Sequence, residues 1–204
     1  MHKDTRVLPF RMAADGAGPR QEFLSNADGE LPEFAVGNPL YDRKALGRLE
    51  HALVATLAAR FPVDDETVDQ TVEALVRASV QAPVHRIGLR ARLRSTWWRY
   101  ADAFPPSSGS RFLGSEVAVP GGRLDLLWRS PSGLLFADEN KTGALLYPLD
   151  RPAVGQARRQ LQGALVTYGA EFAGIRILSF AAPWESLFLD AVGVLTPLNE
   201  GSVR

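Results

Sequence analysis

The hydrophobic period of this chain changes once, near residue 105. Before that point apolar residues recur at three- and four-residue steps; after it they gather into short runs cut by Pro- and Gly-rich turns. Over 44–61, Leu46, Leu49, Leu53, Leu57 and Phe61 form the single stripe of an amphipathic helix, ahead of Pro62. A second helix is expected over 65–81, capped by Asp64 or Asp65, striped by Val68, Val72, Leu75, Val76 and Val80, and closed by Pro83. A third is expected over 87–103. Beyond it, the runs 112–119, 123–128 and 134–139 are separated by Pro120-Gly121-Gly122 and Ser130-Pro131-Ser132-Gly133, which reads as a three-stranded meander. A helix near 154–172, a buried strand over 175–180 and a weaker strand at 192–195 follow.

Helices, a meander, then a helix crossing to another strand imply an α/β domain: a mixed central β-sheet flanked by helices, with a helical region on its N-terminal side. Residues 1–43, with Gly, Pro, Asn and Asp at short intervals, read as an irregular arm. Residues 44–204 read as one domain with a helical insertion at about 64–105.

The run Leu134-Leu135-Phe136-Ala137 ends abruptly in Asp138-Glu139-Asn140-Lys141. Residues two apart on a strand share a face, so Glu139 and Lys141 point the same way. On a helix-covered sheet that face is shielded from water, and a carboxylate there needs an ammonium group or a metal ion. Asp138 should face the opposite side and pair structurally. Asp125 lies in the middle of the preceding strand, where a solvent-facing charge is out of place. If the two strands pair, Asp125 and Glu139 converge on one ion, and such a carboxylate pair suits Mg²⁺ or Mn²⁺ better than zinc. Only three of the 23 basic residues are lysines, Lys3, Lys44 and Lys141. A lysine beside two acids is therefore a pointed choice, since its proton can be moved and arginine's cannot. An isolated Glu-x-Lys is usually a structural ion pair; Asp125 in register shifts the balance toward chemistry.

These segments resemble the RecB-like branch of the PD-(D/E)xK nucleases over about 47–180. Gly47-Arg48-Leu49-Glu50-His51 resembles that family's Gly-x-x-x-His helix, Gly122-Arg123-Leu124-Asp125 its Gly-x-x-Asp strand, and Glu139-Asn140-Lys141-Thr142-Gly143 its acid-x-Lys-Thr-Gly segment. Gln160-Leu161 matches part of a fourth motif; Ala164 stands where an aromatic is usual and Tyr168 comes one turn later. The resemblance implies a restriction-endonuclease-like core, with Asp125, Glu139 and the Asn140 carbonyl on a metal ion, His51 as a further ligand, Lys141 serving the attacking water and Gln160 assisting. At ~100° per residue Glu50 falls near the middle of the apolar face of its helix and His51 toward the edge, so either is the first-motif residue. Glu116, on the strand before Asp125, is an additional acid near the metal or a surface residue.

The net charge is zero, so any nucleic-acid-binding surface must be local. Between Ala74 and Ala101 there is no acid, and Arg86, Arg90 and Arg94 form one stripe with Trp98 nearby for stacking. The same residues also fit a solvated helix face. Arg158 and Arg159 beside Gln160 are similar candidates. Without cysteine the chain holds no iron–sulfur cluster and no disulfide. No leader-like or membrane-length apolar stretch is present, so no membrane partner and a cytoplasmic location are expected. The resemblance implies a Mg²⁺- or Mn²⁺-dependent deoxyribonuclease, an exonuclease acting at DNA ends in recombination, repair or defence, with a helicase or another protein subunit as partner. The rival reading is an inactive nuclease fold that binds DNA or a protein partner.

Overall fold

The computed structural model describes residues 42–79, 83–103, 109–143 and 151–198. The arm expected over 1–43 lies almost wholly outside the described residues. Three helices come first, α1 (Arg43–Ala58), α2 (Asp65–Ser79) and α3 (Pro83–Ala103). Then come β1 (Arg111–Val119), β2 (Gly122–Arg129), β3 (Leu135–Lys141), helix α4 (Arg151–Tyr168), β4 (Phe172–Ser179), β5 (Leu187–Asp190) and β6 (Leu195–Pro197). The six strands form one sheet in sequence order, antiparallel throughout except for the parallel pair β3–β4. The chain is thus α/β, a mixed sheet flanked by helices. None of the described helices is long and apolar enough to cross a membrane.

Several boundaries differ from the sequence expectation for local reasons. Helix α1 stops at Ala58, not at Phe61, because the N–H groups of Arg60 and Phe61 bond back only three residues, to Leu57 and Ala58. Such tightening is usual at a helix end, and Pro62 disfavours further helix. Pro83 does not close α2 but opens α3, where its missing N–H costs nothing. The expected strand at 192–195 is mostly a turn: the Asp190 carboxylate accepts the N–H groups of Val192 and Val194. The strands lie on either side, and β5 has no counterpart in the sequence reading.

Strand β3 is buried from Leu135 to Asn140, as befits a strand covered on both faces. Phe136 packs with Leu126, Trp128, Leu178 and Phe180 against α1, α2 and α3. Leu135 and Ala137 pack with Ile175, Ile177 and Leu189 against α4. Period-two alternation then sends Asp138 to the three-helix side, and Glu139 and Lys141 to the α4 side.

Close backbone approach fixes α4 over the β1–β2 turn. A Cβ on Gly163 would lie 1.8 Å from the Pro120 carbonyl oxygen. Glycine-to-alanine changes inside helices ordinarily gain about 1 kcal/mol. Here α4 must lift instead, and Gly163→Ala is expected to lower stability by roughly 1–3 kcal/mol, the usual cost of overpacking. A shift of the urea midpoint to higher concentration would contradict this.

Candidate active site

The chemistry-bearing residues collect where β2 parts from β3. The β2–β3 ladder ends at Leu126–Asp138, so Asp125 and Glu139 are the next residues of the two strands. Where the ladder ends, the Asn140 N–H loses a strand partner, and a buried N–H must find another. It donates to Asp125 Oδ2 at 2.7 Å. The Asn140 carbonyl in turn lies 2.9 Å from His51 Nε2. A carbonyl only accepts, so Nε2 carries the proton and His51 Nδ1 is left facing Asp125 Oδ2 at 3.6 Å.

Opposite Asp125, between the pairs Ser115–Leu126 and Val117–Leu124, stands Glu116. Its φ of 53° is in the left-handed region, which costs a non-glycine residue about 1 kcal/mol. His51, Glu116 and Asp125 each offer a ligand atom, all within 4.8 Å of one another. Arg123 Nε sits 3.2 Å from Glu116 Oε2. One imidazole nitrogen, carboxylate oxygens and the adjacent Asn140 carbonyl are a donor set that fits a hard divalent cation.

Glu139 forms a second cluster beside this group. Its Oε1 accepts Lys141 Nζ at 2.6 Å and Gln156 Nε2 at 2.7 Å, and its Oε2 accepts Gln160 Nε2 at 2.7 Å. Lys141 also donates to Gln156 Oε1 at 3.1 Å. Gln156 and Gln160, one turn apart on α4, therefore clamp the carboxylate from above. Gln160 additionally reaches the Arg123 carbonyl, tying α4 to the start of β2. Gln156 had no place in the sequence reading, although the four-residue step from Gln160 marks it.

On α1, Gly47 lets the helix approach the segment after Lys141: a Cβ there would sit 3.0 Å from the Thr142 hydroxyl. His51, one turn on, meets Asn140. Glu50 does not join the cluster. Fully buried, it accepts Arg92 Nε and the Thr96 hydroxyl of α3, each at 2.7 Å. The arginine stripe is also drawn elsewhere. Arg90 Nε donates to Glu73 at 2.9 Å and Arg94 Nε lies 3.0 Å from Asp69, both acids on α2. Arg86 is half-buried on the same helix, Trp98 is 40% exposed, and Arg158 and Arg159 are exposed on α4.

Burial raises the Asp125 carboxyl to about 7; His51 and the Asn140 N–H oppose the rise, while the charges of Glu139 and Glu116 add to it. The folded protein therefore keeps a proton that the unfolded chain, with an ordinary value near 3.8, has released. Stability from this group is full below about pH 4 and is lost as pH rises through about 7. In EDTA, wild-type stability is expected to fall between pH 5 and 8 by a few kcal/mol more than that of Asp125→Asn. Parallel pH profiles of the two denaturation free energies would contradict this.

No protein-family model and no curated protein matches this chain. Among solved structures it is similar to EndoMS in a complex with double-stranded DNA, at 22% identity and a TM-score of 0.30, over 44% of this chain and 34% of that one. The match thus spans about a third of the length of that chain.

Proposed function

We propose that the protein is a divalent-metal-dependent nuclease with a restriction-endonuclease-like core that hydrolyses phosphodiester bonds of DNA. The observation that carries this reading is the clamped Asn140, its N–H on Asp125 and its carbonyl beside His51, with Glu139 and Lys141 flanking it on β3. Asp125, Glu116, His51, the Asn140 carbonyl and Glu139 would hold Mg²⁺ or Mn²⁺. Bound there, the ion supplies Lewis acidity toward phosphoryl oxygens and lowers the pKa of water.

The chain's own residues do the rest. Glu139, fixed by two glutamine amides, keeps the Lys141 ammonium at a defined position. Lys141 orients the attacking water and offsets negative charge as it develops on the phosphoryl group. The half-exposed side of His51, Glu116 and Asp125 leaves an approach for a phosphate, while α4 keeps bulk water from Glu139. DNA-end processing beside a helicase or another subunit is the setting that the family resemblance implies.

The test is incubation with linear and circular, single- and double-stranded DNA, with Mg²⁺, Mn²⁺ or EDTA. Cutting that needs the ion is the expected result. Cutting in EDTA, or none on any DNA, would overturn the reading, and ion-independent binding without cutting would favour an inactive module.

A further inference from the structure

Resting on the nuclease reading, the inference concerns how a strand reaches Lys141. Trp184 is 78% exposed, in a short turn (Pro183–Glu185) between β4 and β5. Single exposed apolar residues are common, so its position decides whether it matters. The turn is tied to the active-site segment. Lys141 and Ser179 are paired residues of the parallel strands, and the Phe180 N–H donates to the Lys141 carbonyl at 2.9 Å. The Ser179 hydroxyl donates to the Gly143 carbonyl at 2.9 Å and accepts the Ala182 N–H at 2.9 Å, while Ser186 Oγ accepts the Ser179 N–H at 3.0 Å. Inside the turn, the N–H groups of Glu185 and Ser186 return to Ala182 and Pro183.

The indole is therefore carried on an ordered backbone braced to the Lys141-Thr142-Gly143 segment. A cation stands at the same strand end: Arg99, exposed on α3, places Nη1 3.1 Å from the Phe180 carbonyl. An aromatic face and a guanidinium beside a phosphate-handling centre are what proteins use to hold unpaired nucleic acid, with bases stacked on the ring and phosphates on the cation. A blunt duplex presents no open base face at its sides. We propose that Trp184, with Arg99, is a stacking platform that holds an unpaired base of the strand led to Lys141, so that the preferred substrate is a single strand or a duplex with a single-stranded tail.

The experiment uses full-length Lys141→Ala protein, which holds DNA without cutting it, with and without Trp184→Ala or Trp184→Phe. Fluorescence anisotropy is read on a labelled single strand, a tailed duplex and a blunt duplex. Trp184→Ala is expected to weaken the first two by about ten- to a hundredfold, leaving the blunt duplex nearly unchanged, and Trp184→Phe to retain most of the affinity. Unchanged binding, or an equal loss on all three DNAs, overturns the platform; if the wild type still cuts, the nuclease reading survives that result. If no DNA is bound and the wild type cuts none, both readings fall together. An unchanged melting curve for Trp184→Ala separates lost stacking from lost folding.

Discussion

Lys141→Ala is expected to cut DNA about 10²- to 10⁴-fold more slowly than the wild type, the range spanned by positioned proton-transfer and charge-stabilising groups. The ammonium lies 2.6 Å from Glu139 and 3.1 Å from Gln156, so its position is set from two sides and a truncated side chain has no substitute nearby. Folding should survive. Glu139 keeps the amide donors of Gln156 and Gln160, so the loss in stability is about 1–3 kcal/mol, that of one charged hydrogen-bond partner. Lys141→Arg tests the same point more sharply. Arginine keeps the charge and fixes its proton, and its planar fork does not match the single Nζ position between Glu139 and Gln156. A cleavage rate within threefold of wild type for both variants, on homogeneous protein, would remove Lys141 from the reaction.

The second large effect is on folding, from the opposite face of the same strand. Asp138 is fully buried and Arg176, on β4, is 3% exposed. Arg176 Nε donates to Asp138 Oδ1 at 2.6 Å and Nη2 to Oδ2 at 2.9 Å, and the Tyr100 hydroxyl and Trp128 Nε1 complete Oδ2 at 2.9 and 3.1 Å. Arg176 also lies over the Phe136 ring, 4.9 Å from its centre. Arg176→Met strands the carboxylate in the core and is expected to cost about 3–5 kcal/mol, as broken buried ion pairs do. Domains of this size hold only about 5–15 kcal/mol in all, so the change consumes a large share. Replacing both partners, as in Asp138→Leu with Arg176→Met, leaves no stranded charge and should cost less than the single change. Urea unfolding at pH 7 checks both. A double variant less stable than Arg176→Met alone would contradict the account.

The meander was legible because its punctuation is chemical: Pro120-Gly121-Gly122 and Ser130-Pro131-Ser132-Gly133 can do little but turn. The shared face of Glu139 and Lys141 followed from period two, and their 2.6 Å contact agrees. What periodicity does not encode is which element packs on which. Glu50 was placed correctly on the buried face of α1, yet that face meets α3 as well as the sheet, and Arg92 and Thr96 take the carboxylate. For the same reason the arginines of α3 find Asp69 and Glu73 on α2, a pairing that depends on how the helices lie together. The parting of β2 from β3 was hidden too. It depends on the Asp125 carboxylate taking over the Asn140 N–H, an exchange no single strand's sequence displays. The short β5 was masked because Leu187–Asp190 is four residues long, too brief for a period to show.

The central claim is that the residues around Asp125 bind a divalent cation, and direct titration with Mn²⁺ followed by electron paramagnetic resonance tests it without reference to any substrate. The account predicts saturable loss of the free-ion signal with wild-type protein at pH 7.5 and its recovery in Asp125→Asn. Failure of the wild type to take up Mn²⁺, or equal uptake by the Asp125→Asn variant, would contradict it.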